Sequence, residues 1–288
     1  MRMEDLDPDR SRAEYALAAI EDLRWLGIRW QEGPNLSSPA SSSPDLSRPA
    51  TAGPFAPYEQ SRRYAIYLAA WRKLLRGGFL FPCRCSRKDL EAALNAPHES
   101  LSPSGNGPQS NSEQSNGDME PLDDEPVYPG TCRQFQANIP QPRDSTASEF
   151  AEPGNFNWRF RVPDGEAIEF ADLNLGPQRF VAGVDFGDFV VWRRDGIPSY
   201  QLACVADDAA MKITEVVRGE DLLKSTARQI LLYRALELET PAWFHCRLVA
   251  DHSGRRLAKR HDALSLRALR QRGVTPEQIL SGELPAET

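Results

Sequence analysis

The sequence predicts an α/β fold, because short runs of β-forming residues alternate with segments of helical periodicity. Residues 214–217 form one such run, and Arg218 ends it, at the edge where open α/β sheets place ligand-binding groups. A helix is predicted directly afterwards, with Ser225 or Thr226 as its N-cap and Gln229 completing a capping box. A strand followed by a capped helix is typical of α/β domains.

Other helices and strands extend this alternation along the chain. Apolar residues at helical spacing predict a helix over 11–27 that ends at Gly27, and another that begins at Ser61 and ends at Gly77. Polar and apolar residues alternate in two segments, which predicts half-exposed strands at 157–162 and 168–170, and 187–196 is predicted to be a strand followed by a turn.

Two segments of low complexity interrupt these elements. Residues 35–57 contain six Ser and five Pro, and residues 96–127 are rich in Ser, Asn, Pro, Gln and Gly. Both have too little apolar surface to offset the entropy of ordering. The second segment holds seven acidic residues and no Lys or Arg, so it accounts for the whole net charge of −7. The remainder of the chain is neutral, and the acidic balance therefore does not exclude a nucleic-acid partner.

Length and cysteine usage bound the class of protein. Without the two segments about 230 residues remain, enough for one α/β domain with a substantial core. The chain has five Cys in 288 residues, no leader peptide and no long apolar run, which predicts a cytoplasmic, reducing setting without a membrane partner. Cys204 and Cys246 are predicted to be buried, and neither His245 nor His252 is predicted to act as an acid or base.

Four residues in two arms are candidate metal ligands. Cys83 and Cys85 lie one residue apart, and Tyr128 and Cys132 follow beyond the acidic segment. Three thiols and a phenol complete a tetrahedral zinc site, although tyrosine is an uncommon ligand. From these residues alone, two incidental buried thiols explain the Cys-x-Cys pair equally well. The adjacent pair Asp207 and Asp208 is interpreted as part of a turn or helix cap, and not as a second metal site.

Several motifs resemble those of class I glutamyl-tRNA synthetases in order and spacing. Arg-Met-Glu-Asp-Leu-Asp (2–7) is similar to a segment that follows the first half of the family's nucleotide-binding fold, and 187–196 is similar to a later strand and turn. Arg218 lies 18 residues after Tyr200, as the family's substrate-binding Arg and Tyr do. Arg-Leu-Ala-Lys-Arg (256–260) is a degenerate form of the family's Lys-(Met/Leu)-Ser-Lys-Ser signature. Without the resemblance, a solvated basic loop explains that segment equally well.

The resemblance implies roles for single residues. Lys259 would contact the phosphates of ATP as the catalytic residue, and magnesium would arrive with the ATP. Glu4 would face the amino group of L-glutamate, and Tyr200 and Arg218 would complete the glutamate pocket. Bacterial glutamyl-queuosine tRNA(Asp) synthetases carry Cys-x-Cys and then Tyr-x-x-x-Cys as ligands of a structural zinc. The resemblance assigns this zinc to Cys83, Cys85, Tyr128 and Cys132.

The family pattern is incomplete at both ends. Neither a Pro-Ser-Pro-(Thr/Ser)-Gly segment nor a His-(Ile/Leu)-Gly-(His/Asn) signature occurs, and no helical anticodon-binding domain follows Lys259. We therefore expect an N-terminally incomplete Rossmann-like catalytic domain, which favours the glutamyl-queuosine paralogue. Its expected activity is ATP-dependent activation of L-glutamate and transfer to queuosine at the wobble position of tRNA(Asp), by a monomer. The alternatives are a fragment of an ordinary glutamyl- or glutaminyl-tRNA synthetase and an inactive, zinc-stabilised RNA- or nucleotide-binding remnant.

The predicted organisation has five parts. Residues 1–34 form the second part of the first half of the nucleotide-binding fold, 35–57 a disordered insert, and 58–82 a core helix and its lead-in. Residues 83–132 form the zinc-binding insertion, with a disordered acidic loop at 96–127. Residues 133–288 form the substrate-binding second half of the catalytic fold, with the basic ATP loop at 255–260. A basic groove for tRNA would use the 255–272 region together with Arg193, Arg194 and Arg228.

Overall fold

The computed structural model describes residues 1–9, 11–33, 53–86, 89–90, 127–133, 152–248 and 265–282. Its α-helices are α1 (Ala13–Trp25), α2 (Tyr64–Arg76), α3 (Tyr200–Ala210), α4 (Leu223–Ala235), α5 (Leu266–Gln271) and α6 (Pro276–Ser281). Its strands are β1 (Leu80–Cys83), β2 (Asn157–Phe160), β3 (Ala167–Asp172), β4 (Gly176–Val181), β5 (Phe189–Trp192), β6 (Glu215–Gly219) and β7 (Ala242–Cys246).

The strands form two sheets. An antiparallel sheet has the order β1-β2-β5, and a mixed sheet has the order β4-β3-β7-β6. In the mixed sheet β3 pairs with β4 in antiparallel orientation, whereas β7 runs parallel to both β3 and β6. The two parallel strands β6 and β7 flank helix α4 in the chain, which is the strand, helix and strand order of an α/β domain. The sequence predicts β6 and α4 of this unit but not β7.

One apolar core joins both sheets to helices α2, α3 and α4. Its largest fully buried side chains are aromatic, and Trp71 of α2 packs edge-on against Trp158 of β2 with 5.2 Å between ring centroids. Helix α2 ends where the sequence predicts, since Gly78 adopts a φ of +75°, which L-residues rarely adopt. The core therefore fixes α3 and α4 relative to the sheet edge at which β6 ends.

Three predicted details of the helices are wrong. Helix α4 begins at Leu223, so Ser225 and Thr226 lie inside its first turn and do not cap it. Ser61 does not cap α2 either, because its hydroxyl donates a hydrogen bond to Asp5 at 2.6 Å. Asp207 and Asp208 lie within α3, and both are buried, although a turn or helix cap was predicted for them.

Most of the two predicted inserts lies outside the described residues. Residues 53–57 are described, and the carbonyl oxygens of Phe55 and Pro57 accept hydrogen bonds from Arg63 at 3.0 and 2.8 Å. Residues 34–52, 91–126 and 249–264 are among those outside the described ranges. Within the described part of the chain, no helix is long and apolar enough to cross a membrane.

Candidate functional site

A cavity of about 500 Å³ lies between the N-terminal segment, helix α3 and strand β6. Glu4, Tyr200 and Arg218 all line it, so the structure brings together the three residues that the sequence predicts for glutamate binding. They come from segments nearly 200 residues apart in the chain, and Glu4 and Arg218 carry opposite charges. A carboxylate and a guanidinium that line one cavity can pair with the ammonium and carboxylate groups of a zwitterionic amino acid.

The N-terminal segment is extended, and this conformation orients its charged side chains. Met3 donates a backbone hydrogen bond to Tyr58 at 2.8 Å and accepts one from Gln60 at 3.0 Å. Because side chains alternate along an extended chain, Arg2 and Glu4 lie on the same side. Arg2 forms an ion pair with Glu4 at 3.2 Å and a second, close ion pair with Asp208 of α3.

Asp207 is a buried residue of α3 that connects the segments on this side of the cavity. Its carboxylate is fully buried and accepts hydrogen bonds from Arg63 Nε at 2.6 Å, Gln60 Nε2 at 2.8 Å and Tyr67 Oη at 2.9 Å. The Nε atom of Arg2 also lies 3.8 Å from it. A buried carboxylate with this many donors is satisfied, and it ties α2, α3 and the N-terminal segment together.

Tyr200 and Cys204 lie one turn apart on α3 and face the cavity. Tyr200 is 39% exposed, so its side chain is accessible to a ligand. The Cys204 thiol is buried, 3.8 Å from Arg2 and 3.9 Å from Glu4. Burial, reinforced by the charge of Glu4, raises the pKa of Cys204 to about 12, so the thiol is neutral at physiological pH.

Arg218 lies near the end of β6, and the strand register explains its surroundings. The parallel pairing of β6 with β7 places Arg218 opposite His245. Its Nε donates to His245 Nε2 at 3.3 Å, its Nη2 donates to Thr226 Oγ1 at 2.5 Å, and its guanidinium carbon lies 4.9 Å from the centre of the Trp243 ring. These three contacts hold the guanidinium in place, and the residues that make them do not line the cavity.

A fully buried pair lies behind Arg218. His245 Nδ1 is 2.6 Å from Asp172 Oδ2, and neither side chain has any solvent-exposed surface. Burial acts to raise the pKa of Asp172, but the hydrogen bonds from His245 and from the backbone outweigh it, so the net shift is downward. The sequence did not predict this pair, because its members are 73 residues apart in the chain.

The four predicted metal ligands form a compact cluster, which we call the cysteine cluster: Cys83, Cys85, Tyr128 and Cys132. The sulfur atoms lie within 4.8 Å of one another, with 3.4 Å between those of Cys85 and Cys132. The Tyr128 hydroxyl is 3.5 Å from Cys83 Sγ and 3.9 Å from Cys85 Sγ. Tetrahedral zinc with bonds of about 2.3 Å to sulfur separates its sulfur ligands by roughly 3.8 Å, so the donor set fits this ion.

The charge around the cysteine cluster also fits a metal centre. Arg159 is only 5% exposed, its guanidinium carbon lies 4.1 Å from the centre of the Tyr128 ring, and its Nε has no hydrogen-bond partner among the described residues. A buried cation needs an anionic neighbour. Zinc bound by three thiolates carries a net negative charge, which Arg159 would balance.

Several predicted functional residues are not part of these two sites. Lys259 and the basic loop 255–260 lie outside the described residues. Arg228 is buried against Phe186 and therefore does not belong to an accessible basic groove. Cys246 is exposed, so its predicted burial is wrong, whereas that of Cys204 is confirmed.

The chain matches the family of class I tRNA synthetases (E and Q), catalytic domain, over residues 1–284. It therefore belongs to this family of ligase-type enzymes, whose members attach glutamate or glutamine, and the resemblance found in the sequence is confirmed. It is 43% identical to a glutamyl-Q tRNA(Asp) synthetase of Symbiobacterium thermophilum over 280 residues, and this match covers 97% of the chain and 73% of the relative.

Two further relatives are matched over different shares of their own length. A glutamyl-Q tRNA(Asp) synthetase of Nitratidesulfovibrio vulgaris is 39% identical over 99% of this chain and 76% of the relative. The glutamate–tRNA ligase 2 of Nitrosococcus oceani is 37% identical over 97% of this chain but only 50% of the relative.

A solved structure shares the fold. A glutamate tRNA ligase of Elizabethkingia meningosepticum, crystallised in complex with its amino acid, has a TM-score of 0.62 and 24% identity, and covers 90% of this chain. The chain spans 44% of the length of that ligase.

Proposed function

We propose that the chain activates L-glutamate with ATP and transfers the glutamyl group to queuosine at the wobble position of tRNA(Asp). The observation that carries this proposal is that Glu4, Tyr200 and Arg218 line one cavity. Family membership supports the reaction class. The transfer to queuosine is supported by the names of the two relatives that are 43% and 39% identical.

Each of the three residues has a binding role in this proposal. The Glu4 carboxylate accepts hydrogen bonds from the substrate ammonium group. The Arg218 guanidinium, held from behind by Thr226 and Trp243, offers its remaining donors to a substrate carboxylate as a charge-assisted pair. Tyr200 lines the same cavity and is exposed enough to contact the substrate.

The reaction proceeds by acyl transfer in two steps. A carboxylate oxygen of glutamate attacks the α-phosphorus of ATP, the bond to the bridging oxygen breaks, and pyrophosphate leaves. A hydroxyl of queuosine then attacks the activated carbonyl carbon, loses its proton and displaces AMP. No protein nucleophile takes part, so the chain contributes positioning and electrostatic stabilisation.

We assign the stabilisation of the phosphates to Lys259, on the basis of the signature-like segment 256–260 alone. Magnesium would accompany the ATP. A cation aimed at the charge that develops on the phosphates lowers the barrier to the first step.

We also propose that the cysteine cluster binds a structural zinc. Cys83, Cys85, Tyr128 and Cys132 would fill all four positions, so the ion would hold the segments around 83 and 132 together and would leave no open position for catalysis.

Glutamate-dependent exchange of radiolabelled pyrophosphate into ATP tests the first step. Arg218→Gln and Glu4→Gln should each raise KM for glutamate at least tenfold and leave KM for ATP nearly unchanged. Lys259→Ala should abolish exchange without changing the zinc content, whereas the matched variant Arg179→Ala, at an exposed residue that does not line the cavity, should behave like wild type. Exchange that persists in Lys259→Ala would contradict the role of Lys259.

Transfer of labelled glutamate to purified tRNAs tests the second step. The proposal predicts acceptance by tRNA(Asp) that contains queuosine and rejection of the same tRNA with guanosine at that position. Acceptance by tRNA(Glu) or tRNA(Gln) instead would favour an ordinary synthetase fragment. No exchange and no transfer would favour the inactive zinc-stabilised remnant.

A further inference from the structure

The hydrogen-bond chain behind Arg218 has a defined direction. Asp172 Oδ1 accepts from the backbone N–H groups of Asn174 at 3.0 Å and Leu175 at 2.8 Å, and Oδ2 lies 2.6 Å from His245 Nδ1. A carboxylate that receives this many donors is ionised and can only accept, so Nδ1 must carry a proton.

The other ring nitrogen of His245 faces one group that can only donate, the guanidinium of Arg218. Arg218 Nε, which is always protonated, lies 3.3 Å from His245 Nε2, and the Thr226 hydroxyl lies 2.9 Å from it. Because a guanidinium cannot accept a hydrogen bond, Nε2 must present its lone pair to Arg218. Both ends of the ring therefore require the same neutral tautomer, with the proton on Nδ1.

We propose that the buried Asp172–His245 pair is a positioning device that orients Arg218 for the substrate carboxylate. This inference rests on the proposed role of Arg218. The pair sets the tautomer of His245, the tautomer provides an acceptor for Arg218 Nε, and this contact together with Thr226 and Trp243 fixes the plane of the guanidinium. Neither Asp172 nor His245 lines the cavity, so they act through Arg218.

The isosteric change Asp172→Asn separates this role from packing. The amide oxygen has to remain at the position of Oδ1, since the backbone N–H groups of Asn174, Leu175 and His245 all donate there. The amide NH₂ group then faces His245 Nδ1 and donates to it. The ring proton moves to Nε2, where it points at Arg218 Nε–H, and Arg218 loses one of its two acceptors.

Two measurements test the proposal. In the full chain labelled with ¹⁵N-histidine, the ring nitrogens of His245 should show a protonated Nδ1 in wild type and a protonated Nε2 in Asp172→Asn. The chain has four His, and His245→Gln identifies the signal by its loss. In pyrophosphate exchange, Asp172→Asn should raise KM for glutamate about tenfold, with kcat and KM for ATP changed less than about threefold.

Two variants complete the design. Asp185→Asn makes the same chemical change in a carboxylate that accepts from the backbone N–H of Val181 at 2.5 Å and contacts no histidine ring among the described residues, and it should leave KM for glutamate unchanged. In Asp172→Asn/His245→Gln, the glutamine carbonyl offers Arg218 an acceptor that does not depend on a tautomer. This double variant should recover most of the lost glutamate affinity.

Each outcome decides the question. A wild-type His245 with its proton on Nε2, or a shifted tautomer without a change in KM for glutamate, would overturn the proposal. A fall in melting temperature with unchanged KM would assign the pair a structural role only, which also overturns it. If wild type shows no glutamate-dependent exchange, the proposed function fails, whereas the tautomer is still read by NMR and glutamate binding by calorimetry.

Discussion

The cavity and the cysteine cluster differ in how their polar groups are satisfied. Around the cavity, buried charged groups have partners of opposite charge within the chain, as Asp207 has in Arg63 and Arg2. In the cysteine cluster, three thiols and a phenol face one another at 3.4–3.9 Å. The nearby buried Arg159 lies over the Tyr128 ring, and its Nη1 donates to the backbone carbonyl of Asp188 at 2.8 Å. Charged groups of the chain itself therefore hold the cavity residues in place, whereas the proposed zinc would provide the cation for the cysteine cluster.

The largest effect is expected where the cavity wall is anchored. Asp207→Ala leaves the buried Arg63 without its carboxylate and removes the acceptor of Gln60 and Tyr67. Breaking a buried pair in this way costs about 3–5 kcal/mol. Urea denaturation should therefore show a large loss in the free energy of unfolding, even in zinc-saturated protein.

The matched control for this variant is Asp195→Ala. Asp195 is exposed and pairs with Arg193, so its loss should cost less than about 1 kcal/mol. Equal destabilisation by the two variants would show that the buried network around Asp207 does not anchor the wall.

The second effect concerns the cysteine cluster. Cys132→Ser should lower the zinc content from one ion per chain to none, and it should remove the stabilisation that bound metal gives, about 2.7 kcal/mol when zinc is at 100 times its Kd. Hydrogen exchange should increase at β1 and at 127–133, while α3 keeps its protection. Zinc quantification and hydrogen-exchange mass spectrometry provide the two readings.

Cys246→Ser is the control for zinc content, because Cys246 is exposed and distant in sequence from both arms of the cluster. Full zinc content in Cys132→Ser would contradict the assigned ligand set. If a chelator increased hydrogen exchange in α3 as much as in β1, the two regions would not differ in their dependence on a metal.

A smaller effect is expected from the positive charge of Arg159 next to the cysteine cluster. Arg159→Met keeps much of the side-chain volume but removes the buried cation next to Tyr128. Zinc affinity, measured by competition with a chromogenic chelator, should fall about tenfold, since a charge-assisted contact is worth roughly 1.5–3 kcal/mol. The metal-free protein should not become less stable, because the variant no longer buries a cation that lacks an anionic neighbour.

Arg161→Met is the matched comparison. Arg161 lies two residues further along, and its guanidinium lies over the ring of Phe81, which is not a ligand, at 5.2 Å. The same loss of zinc affinity in both variants would mean that general positive charge, and not the Arg159 contact, supports the metal.

The sequence predicts the cysteine cluster more completely than the cavity, and the reason is physical. Cysteine is a residue type with metal-binding chemistry, so Cys83, Cys85, Tyr128 and Cys132 could be named as candidate ligands from the sequence, although only the resemblance to a family assigned them to one zinc. The ion pair of Arg2 with Asp208 and the pair of Asp172 with His245 join residues 206 and 73 positions apart, and no local pattern encodes such contacts. Glu4, Tyr200 and Arg218 were found only because their motifs resemble those of a family.

The errors in the helices have a similar origin. Thr226 has the residue type and spacing of an N-cap, but the chain enters α4 through a 3₁₀ turn at Glu220–Leu222, which starts the helix earlier. Thr226 Oγ1 then donates to the backbone of Leu222 and accepts from Arg218. Tertiary contacts therefore changed the role of a residue whose local signal was clear.

The smallest effect is expected at Cys204, which lies on the cavity wall and yet has no strong partner. Its contacts with Arg2 and Glu4 are 3.8 and 3.9 Å long, so Cys204→Ser should change KM for glutamate less than about threefold. With a pKa of about 12, only about one thiol in ten thousand is ionised at pH 8, and this fraction rises with pH. Iodoacetamide labelling followed by mass spectrometry should therefore modify the exposed Cys246 long before Cys204. Rapid labelling of Cys204 at pH 8 would contradict its buried, neutral state. A tenfold rise in KM for glutamate in Cys204→Ser would mean that the thiol contacts the substrate and that charged groups are not the only binding groups of the cavity.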